Sequence, residues 1–304
     1  MKKNLEKNLE QVEALSNTSK LGRLLHNPIR YIYAIVLKNV LYPIFQKEIS
    51  VSCELFTGKK INVVLPASTD IYLTGGKSHP SEIRLAKFLI HNLQNNDSFW
   101  DIGAHYGYFS ILASELVGPG GKVVSIEAST STFDILKKNT EQYANISIRH
   151  NAMSDNNQKV SFFELPNLYS EYNTTDLAQF ENEKWFSKIK TKKVVVDALT
   201  LDNLLTKYGE VPNIIKIDVE GGEFAVINGG MNLLKKEGSK PVIVMEYLEA
   251  KRNNQPHKQA TDTLTQLGFK PNIIQNDGSL IFISDIEAHL SKNNLESDNI
   301  VFKK

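Results

Sequence analysis

The chain has 304 residues, 41% hydrophobic and 23% charged, which is ordinary for a globular protein and enough for one large domain with an appendage. A formal net charge of +1 supplies no whole-molecule attraction to a polyanion, so no nucleic-acid partner is expected. Cys53 is the single cysteine, so no internal disulfide can form, nothing requires an oxidising compartment, and the expected home is the cytoplasm. Met1 to Ser19 is polar and lacks the apolar centre of a secretory signal. No window reaches the roughly 18 apolar residues that span a bilayer, so no transmembrane helix is expected.

Residues 1–80 predict an N-terminal helical segment and a small β cap. Apolar positions spaced by three and four run through Leu21, Leu24, Leu25, Tyr31, Ala34, Ile35 and Leu41, with breaks near Pro28 and Pro43. Between Lys20 and Lys47 the charges are Lys20, Arg23, Arg30, Lys38 and Lys47, with no acidic residue. Interleaved with Leu, Ile, Tyr and Val, this is the composition of an interfacial helix on anionic lipid, which points to reversible contact at the inner membrane face. A cap helix packed on the core is the alternative. Ile61, Val63 and Leu65 alternate as a strand does, and Ser81 to Asn92 carries the apolar stripe of a helix, with Ser81 as its cap.

A main domain is expected over residues 81–290, followed by a C-terminal tail at 291–304. From Ser98 onward, short apolar runs alternate with helical patterns, the signature of βαβ units around a parallel sheet. The strands are expected at Phe99 to Ile102, Val123 to Ile126, Ile146 to Arg149, Ile214 to Ile217 and Val242 to Glu246. The helices are expected near Tyr108 to Leu116, Ser131 to Tyr143, Glu223 to Lys236 and His257 to Leu267. Phe269 to Gln275 and Leu280 to Ile283 flank an Asp277-Gly278 pair, a strong hairpin signal, so the sheet should finish antiparallel. The fold class is therefore α/β, Rossmann-like and of the methyltransferase variety: a mostly parallel sheet with a C-terminal antiparallel hairpin, plus the helical and β cap.

The first strand turns into its helix through Asp101-Ile102-Gly103-Ala104-His105-Tyr106-Gly107, at the sheet edge where such folds bind ligands. The glycine spacing is not that of a dinucleotide loop, and Asp101 would repel a pyrophosphate. S-adenosylmethionine has no phosphate and carries an ammonium and a sulfonium that a carboxylate attracts. A glycine turn with Asp101 as a helix cap is the structural alternative. Glu127 ends the second strand, where a carboxylate can accept both ribose hydroxyls. Asn151 ends the third and suits the adenine edge, although a loop asparagine is often just a turn former.

Three segments together resemble the FkbM-type methyltransferase family: the loop just quoted, Asn151-Ala152-Met153-Ser154-Asp155, and Lys216-Ile217-Asp218-Val219-Glu220-Gly221-Gly222-Glu223. The resemblance covers roughly Ser81 to Ile283 and departs from the family where His105 replaces the usual asparagine. It implies O-methylation, often of sugars or hydroxylated natural products, and carries Asp101, Glu127 and Asn151 into cofactor roles. The expected cofactor-binding set is Asp101, Gly103, Ala104, His105, Gly107, Glu127, Asn151, Ala152 and Asp218.

The strand ending in Lys216, Ile217 and Asp218 alternates, so Lys216, Asp218 and Glu220 should share one side, with Glu246 ending the next strand beside them. Such carboxylates suit a general base or a divalent cation held by Asp218 and Glu246. The expected catalytic set is Asp218, Glu220, Glu246 and His105, with Asp218 as the base and the metal-free version preferred. Glu223 reads as a helix-dipole partner. Among His79, His105, His150 and His257, only His105 lies inside a motif. The polar insertion from Glu164 to Lys193 carries Tyr169, Tyr172, Trp185 and Phe186, which would either stack on a sugar ring or form a local cluster. The expected partner is a small-molecule or glycan acceptor, lipid-linked if residues 20–47 do meet a membrane. A nicotinamide-dependent oxidoreductase fits the glycine spacing and Asp101 poorly. A methyltransferase fold reduced to an interaction module sits badly with the retained Asp101, Gly103, Gly107 and Glu127.

Overall fold

A computed structural model describes residues 1–180, 183–238 and 240–304. The chain opens with helices α1 (Lys2–Asn17), α2 (Lys20–His26), α3 (Pro28–Val36) and α4 (Tyr42–Phe45), then a hairpin of β1 (Ile49–Glu54) and β2 (Lys60–Leu65). Helices α5 (Thr69–Thr74) and α6 (Pro80–Asn92) lead into the main sheet. Pro28 does break the helical run, at the first position of α3, where its missing N–H is of no consequence. Pro43 does not: a π turn over Leu37–Leu41 widens the helix just before it, and the helix continues as α4. The cap of α6 is His79 rather than Ser81, with Pro80 in the first turn; Ser81 Oγ instead meets His79 Nδ1 at 2.6 Å.

The βαβ succession follows as β3 (Ser98–Ile102), α7 (Tyr108–Val117), β4 (Lys122–Glu127), α8 (Thr130–Thr140), β5 (Ile146–His150), β6 (Ala152–Met153), β7 (Lys159–Glu164) and β8 (Lys192–Leu199). It continues with α9 (Leu201–Tyr208), β9 (Ile214–Ile217), α10 (Glu223–Asn228), α11 (Met231–Lys235), β10 (Val242–Leu248) and α12 (Gln255–Gln266). The chain ends with β11 (Lys270–Ile274), β12 (Leu280–Phe282), α13 (Ile286–Asn293) and β13 (Ser297–Lys303). The main sheet runs β12-β11-β13-β10-β9-β3-β4-β5, parallel from β10 to β5. Neighbours β3 and β9 belong to different runs of the chain, so the strand order reverses between them. That reversal opens a crevice at the carboxyl ends of the strands.

Alternate strand residues face opposite layers. Phe99, Val123, Ile214 and Val244 pack with α1, α6 and α7, whereas Trp100, Val124, Ile215 and Ile243 pack with α9 to α13. Leu5, Leu9 and Val12 of α1 are buried in the first of these layers, where the N-terminal helix packs on α5 and α6. The long helix expected over Glu223 to Lys236 is two, because Gly229 and Gly230 interrupt it; a Cβ on Gly229 would lie 2.2 Å from the Ser154 carbonyl oxygen. Helix α9 went unread in the sequence although its signals are present: Thr200 accepts from Asn203 N at 3.0 Å and Gly209 closes the helix left-handed. The margins of the polar insertion pair as the β7–β8 hairpin, which buries Phe162 and Val196.

The largest correction concerns residues 291–304. They are no tail: β13 inserts antiparallel between β10 and β11, so the hairpin β11–β12 joins the sheet through it. An ion pair and a hydrogen bond fix it there, Arg84 to Asp298 at 2.6 Å and His289 Nε2 to Asp298 Oδ2 at 3.0 Å, around a carboxylate that is 2% exposed. Ile300, Val301 and Phe302 are completely buried. Truncating Phe302→Ala should therefore lower the free energy of unfolding by about 3–5 kcal/mol, the usual cost of emptying a buried aromatic site. Urea denaturation measures it, and a loss within error of zero would return the segment to the status of a tail.

Candidate active site

The crevice is a cavity of about 360 Å³, within the range of small-molecule sites, lined by the carboxyl ends of β3, β4, β9 and β10 and the segment after β5. Its floor begins at Gly103. There φ is +78°, and a Cβ would sit 1.7 Å from the Asp218 carbonyl oxygen, so only glycine lets the β3 loop pass the end of β9. Gly103 N and Ala104 N both donate to the Ile126 carbonyl, at 3.0 and 2.9 Å, and tie the loop to β4.

Asp101 does not face the cavity as its place in the motif suggested. It is completely buried beneath the loop, accepts from Ser110 Oγ at 2.6 Å, and lies 3.5 Å from Lys216 Nζ. Burial pushes its carboxyl up, against the pull of Lys216. Ala104 and Gly107 also stay behind the wall, shaping the turn rather than lining the cavity. Gly103, His105, Glu127, Asn151, Ala152 and Asp218 do line it.

Glu127 spans two loops. Its Oε2 accepts from His105 N and its Oε1 from Ser129 N, both at 2.9 Å, and the Ala128 amide is a further donor to it, which fixes the carboxylate. Burial pushes its pKa up to about 7. Asn151 is half-buried and donates from Nδ2 to the Asp197 carbonyl at 3.0 Å. Ile126, Met153 and Phe162 supply apolar wall around this end.

The other end is acidic. Lys216, almost wholly buried, lies 3.1 Å from Asp218 Oδ2 and donates to the Gly103 carbonyl at 3.3 Å. Burial pulls its ammonium down, but Asp218 and Asp101 outweigh that and the net shift is upward. Asp218, Glu220 and Glu246 each bring a carboxylate oxygen within 4.8 Å of the others. Glu220 sits left-handed at φ +51° just before the two glycines, its carbonyl accepting from Thr174 Oγ1. Burial, then the nearby Asp218, pushes Glu246 up to about 7, and burial with Glu246 drives Glu220 well above the carboxylate range.

His105 takes a different place from the one its motif implied. Its Nε2 meets Ser170 Oγ at 2.9 Å and its ring lies on Tyr106, centroids 3.8 Å apart. Burial drops its pKa to about 4, so it is neutral and a poor proton acceptor near pH 7. It tethers the insertion to the loop. His79 also lines the cavity, His150 stacks on Phe133, and His257 lies buried 3.3 Å from Glu223, behind the site. Of the insertion's aromatics, Tyr172 reaches the cavity; Tyr169 and Trp185 stack on one another at 4.7 Å, and Phe186 meets Trp185 edge-on.

Sequence reasoning missed the cavity's outer wall. Lys77 pairs with Glu82 and, at 2.9 Å, with Glu171; Arg252, Glu296, Ser297 and Asn299 complete that side. No motif marks them, because they come from the loop before α6 and its first turn, the insertion, the turn after β10, and β13 with the residue before it. Glycines 75 and 76 before Lys77 are the one local signal that the chain turns there.

Glu127 and Glu246, each raised from 4.5 to about 7, make the site sensitive to pH. Their neutral forms stabilise the fold fully below about 4.5, and that contribution is lost as pH rises through about 7. Replacing Glu246→Gln removes one such group, so thermal unfolding should show a smaller fall in stability between about pH 5 and about pH 8 than in the parent. Equal falls would show that Glu246 ionises as freely folded as unfolded.

The model of the family described as "Methyltransferase FkbM domain" matches residues 101–271. The chain is 26% identical over 153 residues to the hexuronic acid methyltransferase AglP of Haloferax volcanii, a match spanning 49% of this chain and 56% of that protein. Among solved structures it is similar to methyltransferase FkbM from Methylobacillus flagellatus, at 13% identity and a TM-score of 0.42, covering 78% of this chain and 53% of that one. It is also similar to Aeropyrum pernix fibrillarin with bound S-adenosyl-L-methionine, at 13% identity and a TM-score of 0.40, covering 73% and 74%.

Proposed function

We propose that the chain, which belongs to the FkbM methyltransferase family, binds S-adenosylmethionine in the crevice and methylates a hydroxyl oxygen of a sugar, glycan or hydroxylated natural product. The observation that carries this reading is the division of the cavity into a fixed carboxylate with apolar walls at one end and a cluster of titratable carboxylates at the other. The donor set fits the cofactor: Glu127 suits a ribose diol, Asn151 and Ala152 the adenine edge, and Ile126, Met153 and Phe162 its faces. The excess of carboxylates suits a cation better than a phosphate. Bound there, the cofactor supplies a methyl group already activated on a positively charged sulfur.

The protein's share is then alignment and removal of the acceptor's proton. Asp218, held by Lys216, faces the junction of the two ends and orients the hydroxyl. Glu246, with its pKa near 7, is the carboxylate best matched to take the proton at its Oε, with Glu220 beside it. This moves the base from Asp218, the expectation from sequence, one strand outward. A second reading is favoured by the closeness of the three carboxylates: Asp218, Glu220 and Glu246 would hold a divalent cation that polarises the hydroxyl. The comparison with AglP makes a uronic acid one acceptor to test, and lipid-linked sugars another.

Glu127→Ala should weaken binding of S-adenosylmethionine by about 1–3 kcal/mol in a calorimetric titration, the cost of losing a charged acceptor. Unchanged affinity would remove the ribose assignment. Asp218→Asn and Glu246→Gln should each slow single-turnover methylation by about 10²- to 10⁴-fold with little change in cofactor affinity. Glu246→Gln should in addition abolish the limb of the pH–rate profile near 7. Loss of activity on chelation, restored by Mg²⁺ or Mn²⁺, selects the cation; wild-type rates in both variants reject both readings.

A further inference from the structure

Residues 20–45 present two unlike faces. One face of this segment packs: Ala34, Leu37 and Tyr42 are buried, Tyr33 lies 6.3 Å from Tyr72 of α5, and the Arg30 guanidinium sits 5.3 Å over the same ring. The other face is left bare. Leu21, Leu25, Ile29, Ile32, Val36, Val40, Ile44 and Phe45 are all exposed, Ile29 at 82% and Leu25 at 75%. Scattered single exposed hydrophobes are normal on a protein surface, but a run of this length recurring every three or four residues along consecutive helices is not.

The charges identify the occupant. Lys20, Lys38 and Lys47 are exposed among these apolar side chains, Arg23 and Arg30 are half-buried, and no acidic residue occurs from 20 to 47. A second copy of the chain would set this basic surface against itself. Anionic lipid would satisfy the lysines while its acyl boundary takes Leu, Ile and Phe. No described helix is long and apolar enough to cross a membrane, which leaves contact along the surface as the available mode.

The segment is connected to the cavity wall through α5. Its packed face rests on α5, which runs directly into the loop carrying Lys77, and Asp70 of α5 accepts from Ser78 N at 3.1 Å, clasping that loop. Tyr42 lies near Glu48 and near Tyr169 of the insertion, close enough that they add to the effect of burial in raising its hydroxyl above the ordinary value.

We propose that α2, α3 and α4 form a docking face for an anionic lipid membrane, holding the acceptor end of the cavity beside the bilayer surface. Presentation of a lipid-linked acceptor rests on the methyl transfer proposed above; the docking itself does not. The test is flotation of the full chain with vesicles of phosphatidylcholine alone and with equimolar phosphatidylglycerol, at low and high salt. The wild type should float at least about ten-fold more with the anionic vesicles and be released by salt. A quadruple variant, Leu25→Ser with Ile29→Ser, Ile44→Ser and Phe45→Ser, and a triple variant, Lys20→Glu with Lys38→Glu and Lys47→Glu, should each lose at least about ten-fold of that binding. Unchanged thermal unfolding of the variants keeps their loss attributable to the surface. No flotation, equal flotation with neutral vesicles, or undiminished flotation of either variant overturns the proposal. So does a wild-type dimer in light scattering that the quadruple variant dissolves, since a second copy would then cover the face.

Discussion

The site depends on one buried ammonium. Lys216 lies one residue from the end of β9 with 3% of its surface exposed, between Asp101 on β3 and Asp218, with the Gly103 carbonyl as a further acceptor. A buried charge without partners is prohibitive, and one with good partners is tolerated. Its three partners come from two strands that are neighbours in the sheet but far apart in the chain. Satisfying Lys216 therefore requires β3 and β9 to lie in this register, and that register is what opens the crevice.

From that anchor the ligand-facing parts fall into place. Gly103 has no side chain, so the Asp218 carbonyl can come close enough to seal the floor, and Asp218 N donates back to the Ile102 carbonyl at 3.0 Å. With Asp101 occupied underneath by Lys216 and Ser110, the carboxylate that faces the cavity at this end is Glu127, itself braced by the backbone amides of His105, Ser129 and Ala128. One acidic residue of the loop motif thus holds the scaffold while the carboxylate ending the next strand faces the cavity.

Polarity is graded across the cavity for a physical reason. Burial first, and then the crowding of carboxylates at the β9 and β10 ends, holds Glu220 and Glu246 nearer neutrality than free side chains would be. Asp218 meets an ammonium instead. Glu220 and Glu246 are thereby readier to hold a proton than free carboxylates are, the property a general base near neutrality needs. On the far wall, Lys77 collects Glu82 and Glu171 and balances part of the negative charge.

The sequence by itself determined the parallel half of the fold and the list of strand-end residues, because both are written in short-range patterns. Period-two and period-3.6 hydrophobicity located β3, β4, β5, β9 and β10 to within a residue or two, and strand ends in a doubly wound sheet are where ligands gather. Tertiary structure decided what depended on contacts between distant segments. Ser297 to Lys303 has the composition of a strand but no neighbour in sequence to pair with; it is a strand because β10 and β11 leave a gap that fits it and Asp298 finds Arg84 and His289 there. Asp101 and Glu127 look alike as carboxylates ending adjacent strands. Only the approach of Lys216 turns one inward, and only the burial of His105 against Tyr106 and Ser170 lowers its affinity for a proton.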